Sequence, residues 1–121
     1  MERKRLLLVD DDSDLAELLA EQLQIVGEFD TELAHCARAA LEAVFKSRFD
    51  LLLLDVGLPD MDGRDLCRLM RRQGIKVPIV MLSGLQSDAD VVRGLDAGAD
   101  DYIVKAIKFK SLLTRLQSHL R

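Results

Sequence analysis

Three short runs constrain this chain more than anything else in it. Leu6 to Val9, Leu51 to Leu54 and Ile79 to Leu82 are unbroken apolar stretches of strand length. A strand with one wet face alternates apolar and polar side chains, so an unbroken run signals a strand covered on both faces. Weaker strand signals lie at Thr31 to Ala34 and Tyr102 to Val104. Between the runs the apolar spacing turns helical. Leu15, Leu18, Leu19, Leu23 and Val26 form one stripe, with Gly27 placed to end it. Leu41, Val44 and Phe45 form a second, and Leu66, Leu69 and Met70, stopped near Gly74, a third. Val91, Val92 and Leu95 form the fourth, ending near Gly98, and Phe109, Leu112, Leu113, Leu116 and Leu120 the last. Five repeats of strand then helix mean an α/β fold: a parallel sheet with helices on both faces. Five strands favour a doubly wound open sheet over a barrel, which needs eight.

The 121 residues make one domain, 1–121, of ordinary globular composition, 49% hydrophobic and 31% charged. A formal net charge of −4 argues against direct nucleic-acid or membrane binding, since both favour a basic surface. Arg3, Lys4 and Arg5 ahead of Leu6 imitate a signal peptide, but Asp10, Asp11 and Asp12 stop the apolar run too early. The expectation is a cytoplasmic protein with no membrane segment. Cys36 and Cys67 stand far apart without metal-ligand spacing, which suggests neither a disulfide nor a zinc site.

Open parallel sheets bind ligands at the carboxyl ends of their strands. There the sequence puts Asp10 and Asp11 after the first strand, Asp55 after the third, Ser83 after the fourth and Lys105 after the fifth. Each residue has a plain structural reading as well. Asp10 to Asp12 with Ser13 could cap a helix, Asp55 could open the turn through Pro59-Asp60, Ser83-Gly84 could be only a turn, and Lys105 a surface lysine. The plain account must hold at four strand ends at once. Three carboxylates crowded together call for a cation, and all-oxygen ligands beside a phosphate point to Mg²⁺. A carboxylate nucleophile flanked by Mg²⁺ and a lysine is an arrangement for phosphoryl transfer.

The segments LLLVDDDSDLAELL, FDLLLLDVGLPDMDG, VPIVMLSG and GLDAGADDYIVKA, in that order and spacing, resemble the receiver domain of response regulators, the CheY-like family. The resemblance covers nearly the whole chain. It implies strand order 2-1-3-4-5, an order known for CheY itself. It implies Asp55 as the phosphoacceptor, taking its phosphoryl group from the phosphohistidine of a sensor histidine kinase. Asp11 and Asp55 would ligate Mg²⁺ with the backbone carbonyl of Gly57, Asp10 acting through a water. Lys105, Ser83 and Gly84 would meet the phosphoryl oxygens. Ser83 and Tyr102 would act as the switch, Tyr102 turning inward once phosphate arrives. GADDY together with Arg115 and Arg121 is similar to the winged-helix (OmpR/PhoB-like) subfamily. That likeness implies a homodimer on phosphorylation, through a face holding Val91, Val92, Leu95, Asp100, Asp101, Arg115 and Arg121. Asp100 and Asp101 would pair with arginines across the two-fold axis, and DNA would be bound only by an effector domain absent from this chain.

Four positions depart from the family pattern. Ser83 replaces the commoner threonine, Gly57 a bulky or amide side chain, Ser111 a glutamate that would form one inter-subunit pair, and Ala106 the proline after the lysine. Without that proline, a cis bond costs about 2.5–4 kcal/mol, so a trans Lys105–Ala106 bond is favoured. A phosphatase of the haloacid-dehalogenase type needs a second acid where Gly57 stands, so a turnover enzyme is not expected. A flavin or nucleotide binder needs a phosphate loop where Asp10 to Asp12 would repel phosphate. A degenerate or stand-alone receiver serving as a docking module or phosphate sink keeps the fold without the output.

Overall fold

The computed structural model describes residues 2–121. Five strands, β1 (Lys4–Val9), β2 (Phe29–Ala34), β3 (Leu51–Leu54), β4 (Ile79–Ser83) and β5 (Asp101–Val104), alternate with five helices. The helices are α1 (Ser13–Val26), α2 (Ala37–Lys46), α3 (Gly63–Arg72), α4 (Asp88–Asp96) and α5 (Phe109–Ser118). All paired strands are parallel, in the order β2-β1-β3-β4-β5. The doubly wound, flavodoxin-like architecture expected from the sequence is the one observed.

The unbroken apolar runs explain the layers. Successive side chains of a strand point to opposite faces, so a two-sided sheet needs apolar residues at every position. Leu6, Leu8, Leu51, Leu53, Val80 and Leu82 pack beneath α1 and α5 with Leu19, Leu23, Leu112 and Leu116. Leu7, Val9, Leu52, Leu54, Ile79 and Met81 face α2, α3 and α4 with Ala40, Leu66, Cys67 and Met70. Each fully buried leucine contributes about 1.5–3 kcal/mol, so the central strands carry much of the driving force. Cys36 and Cys67 are free thiols, and Cys36 caps α2 with its sulfur, 3.4 Å from the Ala39 amide.

Several stripes differ from expectation. Leu18 (53% exposed) and Phe45 (60%) lie on the solvent side of their helices. Small Ala16 and Ala40 take the inward places, because they let the helix axes approach the sheet closely. In α4, Val92 (54%) and Leu95 (43%) are exposed and the one buried residue is Gly94. A Cβ at Gly94 would lie 2.6 Å from the Tyr102 ring, so this helix reaches the sheet only by presenting bare backbone to the tyrosine. β1 and β2 each begin two residues before the apolar signal, because Lys4, Arg5, Phe29 and Asp30 pair with one another in register.

Candidate functional site

The chemistry gathers at the carboxyl edge of the sheet. Asp10 and Asp55 leave the adjacent central strands β1 and β3, and the Asp55 amide donates to the Val9 carbonyl at 2.8 Å. The Asp10 amide likewise donates to Ala34 of β2 at 3.0 Å. These bonds carry the ladder one residue past the apolar runs and fix both carboxylates side by side. Asp10, Asp55 and Ser83 are the buried polar residues among those described. Asp11 is exposed, yet one carboxylate oxygen from each of Asp10, Asp11 and Asp55 lies within 4.8 Å of the others.

Lys105 closes the cluster. Its backbone amide donates to Ser83 at the end of β4 (2.8 Å), which places the side chain over the strand ends. The ammonium lies 2.9 Å from Asp10 Oδ2 and 3.2 Å from Asp55 Oδ2. Burial opposes the lysine charge, but hydrogen bonding to Asp10 and the Asp55 charge outweigh it and hold the ammonium above its ordinary value. Burial, then the charge of Asp10, pushes the Asp55 carboxyl upward against the pull of Lys105 and the Gly57 amide. One ammonium thus serves two carboxylates, and a third stands beside them. The oxygen-only donor set and its surplus of negative charge fit a hard divalent cation.

The loop from Val56 to Asp62 is set by two residues that sequence reasoning passed over. A Cβ on Gly63 would lie 2.0 Å from the carbonyl oxygen of Asp55, and the Gly63 amide donates to Val56 at 2.7 Å. The first turn of α3 therefore presses directly on the backbone of the candidate phosphoacceptor. Asp60, expected only as a turn residue, reaches across to α2. Its carboxylate accepts from the Ala37 amide (2.8 Å) and the Arg38 amide (3.0 Å), which together hold its carboxyl below the ordinary range. The signal for Gly63 was a glycine at a helix start that no left-handed turn requires. For Asp60 there was none, because its partners are more than twenty residues away. Gly57 faces open space, with no atom within 4 Å of an added Cβ.

The remaining candidates divide. Ser83 is buried and its hydroxyl accepts from the Leu85 amide at 3.1 Å; Gly84 beside it is exposed. Tyr102 was expected to turn inward only with phosphate. Here it is already buried, its hydroxyl donating to the Leu85 carbonyl at 2.7 Å, because Gly94 leaves room for the ring. Asp100 is exposed, and its Oδ2 is already engaged within the chain. Arg71 donates to its carboxylate at 2.9 Å and the Ile79 amide does so at 2.9 Å, while the same guanidinium binds the carbonyls of Ile75, Val77 and Gly98. Asp101 also finds its arginine within the chain, pairing with Arg115 and, at 3.0 Å, with His119. Val91 is half-buried, and Arg121 is exposed at the end of the chain. The Lys105–Ala106 bond is trans, as favoured.

The chain matches the family described as "Response regulator receiver domain" over residues 6–117. It is similar to the DNA-binding response regulator MtrA of Mycobacterium tuberculosis (strain ATCC 25618 / H37Rv), 49% identical over 119 residues, which take in 98% of this chain and 51% of that protein. It is 43% identical over 117 residues to the response regulator MprA of Mycobacterium ulcerans (strain Agy99), covering 97% of this chain and 50% of that one. The chain thus spans about half the length of the curated relatives it matches. Among solved structures it is similar to the BeF3-activated N-terminal receiver domain of Klebsiella pneumoniae RstA, with TM-score 0.91 and 37% identity over 97% of this chain and 98% of that one. The Francisella response regulator 1452 receiver domain has TM-score 0.92 and 29% identity over 98% of this chain and 97% of its own. No helix among the described residues is long and apolar enough to cross a membrane. With the sheet order, the acidic cluster at its carboxyl edge and these likenesses together, the chain belongs to the receiver domain family of two-component response regulators.

Proposed function

We propose that this domain is a phosphorylation switch: it accepts a phosphoryl group on the Asp55 carboxylate from the phosphohistidine of a sensor histidine kinase. The observation that carries the reading is Lys105, whose ammonium bridges Asp10 and Asp55 where three carboxylates converge. A carboxylate oxygen of Asp55 attacks phosphorus, the phosphorus–nitrogen bond of the donor breaks, and the donor imidazole keeps the electron pair. Lys105 pairs with a phosphoryl oxygen and Ser83, whose oxygen accepts from the Leu85 amide, donates its free hydroxyl proton to another. Asp10, Asp11 and Asp55, with the Gly57 carbonyl, would hold Mg²⁺, which supplies positive charge against the phosphoryl oxygens. The phosphoryl group rests on Asp55 until water removes it. The domain is therefore a phosphoacceptor that promotes its own modification, not a turnover enzyme.

Ser83 and Tyr102 lie on either side of Leu85, so a change at Ser83 is passed to the approach to α4. The α4–β5–α5 face, with exposed Val92 and Leu95, supports phosphorylation-promoted self-association. MtrA carries "DNA-binding" in its name, which supports a transcriptional output exerted through an effector domain rather than through these residues. The deciding experiment is intact mass after incubation with Mg²⁺ and acetyl phosphate. The wild-type domain should gain one phosphate and Asp55→Asn none. A wild-type protein that gains nothing, or an Asp55→Asn protein that still does, would overturn the reading.

A further inference from the structure

Of the five helices, α4 has the least apolar anchorage among the described residues: Gly94 alone is buried, while Val92 and Leu95 face solvent. Its N-terminal turn is instead held by polar ties. Ser87 and Asp90 form a reciprocal cap, in which Asp90 Oδ2 accepts from the Ser87 amide (3.2 Å) and hydroxyl (2.6 Å). The other oxygen, Oδ1, faces Arg64 of α3 at 3.8 Å. Arg64 is largely buried and already committed on one side, with Nε and Nη2 on the carboxylate of Asp62 at 3.0 and 2.7 Å. Its Nη1 is fully buried and has no hydrogen-bond partner. A buried donor left unused is costly, and a shift of about 1 Å would bring Asp90 into hydrogen-bond range.

We propose that Arg64 is a positioning residue: through Asp90 it straps the first turn of α4 to the loop that leaves Asp55. Arg64 directly follows Gly63, whose backbone presses on Asp55, so the strap spans the distance from the acidic cluster to α4 in one side chain. The pair sets how far events at Asp55 move α4, and this regulatory half rests on the phosphoacceptor reading above. The charge pair is shielded from water on both sides, which makes it stronger than an exposed pair.

The test is amide hydrogen exchange of residues 88–96 in wild type, Arg64→Met, Asp90→Asn and the double variant, without and with acetyl phosphate and Mg²⁺. Asparagine at 90 keeps an acceptor for the Ser87 cap while removing the charge. Each single variant should exchange about fivefold faster in α4 before any phosphodonor is added, and the double variant no faster than either single. Phosphorylation, read by intact mass, should reach the wild-type extent in all four. The phosphodonor-dependent change in α4 exchange, and in the fluorescence of Tyr102 (the chain's sole tyrosine, with no tryptophan), should shrink in both singles. Unchanged α4 exchange in both singles, or effects that simply add in the double, would overturn the strap. If Arg64→Met does not fold, Arg64→Gln takes its place in the cycle, since it removes the charge while keeping a polar group beside Asp62. A wild type that takes no phosphate defeats the functional reading, whereas the strap is judged by the exchange measured before phosphodonor is added.

Discussion

Single atoms decide much at the acidic edge, and Gly63 is the sharpest case. Any side chain there meets the Asp55 carbonyl oxygen at 2.0 Å, a contact with backbone that no rotamer change can relieve. Gly63→Ala should therefore cost at least about 1–3 kcal/mol and cut phosphorylation sharply even where the protein still folds. Thermal melting and intact mass measure the two effects separately, and a Gly63→Ala protein with wild-type phosphorylation would show that α3 can retreat without disturbing Asp55. The contrast with Gly57 is instructive, since a side chain there enters open space. Both glycines belong to the stretch that marks the family resemblance, yet nothing in their local sequence tells which is sterically required. Asp10, Asp11, Asp55, Ser83 and Lys105 were legible because strand ends are easy to place and their chemistry converges. Asp60 and the Arg64–Asp90 pairing were not, since the partners come from distant parts of the chain.

Elements are joined here largely by aspartates. Asp60 ties the loop after β3 to α2, Asp62 caps α3, Asp90 completes the Ser87 cap of α4, and Asp101 holds Arg115 of α5 and His119 just past its end. All four carboxyls are held below their ordinary value of 3.8: Asp60 by the Ala37 amide, Asp62 by Arg64, Asp90 by Ser87, and Asp101 by Arg115 and His119 against its own burial. A group lowered on folding adds stability that is present above its unfolded value and lost as pH falls through its folded value. Asp55 has the opposite sign. Raised by burial and by Asp10, its ionised form costs stability at neutral pH, and that cost disappears as acid protonates it. The metal-free domain should thus gain slightly on mild acidification and then lose stability below about pH 4. Melting curves across this range check the profile, and Asp55→Asn should flatten the mild gain while keeping the loss. A stability that falls steadily from pH 7 would contradict it. At this scale the sequence was read well where burial is two-sided, in β1, β3 and β4. The inward face of α1 was legible in Leu19 and Leu23, but those of α2 and α4 were not, because there small residues, not the largest apolar ones, set the distance to the sheet.

At the scale of the whole molecule, exposed apolar side chains on α1 and α2 (Leu18, Ile25, Phe45) are accompanied by a group of three, Leu85, Val92 and Leu95, along and before α4. Phosphorylation should drive self-association through this face, and Leu95→Glu should weaken it by about tenfold or more, since 1.4 kcal/mol already amounts to a factor of ten. Sedimentation with beryllofluoride and Mg²⁺ reads this directly, and a wild type that stays monomeric at high concentration would count against it. Because Asp101 and Arg115 already satisfy each other inside one chain, a partner must exchange that pair rather than complete an empty one, so apolar contact has to supply the gain. The opposite edge of the sheet has a quieter character. Lys4 bonds to Glu28 there through backbone, and Gln117 near the end of α5 reaches the Glu28 carboxylate at 3.0 Å. Six residues of β1 separate that edge from the acidic one, about 20 Å of strand. Anything held beside Glu28 and Gln117 therefore stands a full strand length from Asp55, so crowding at that edge leaves the acidic edge open.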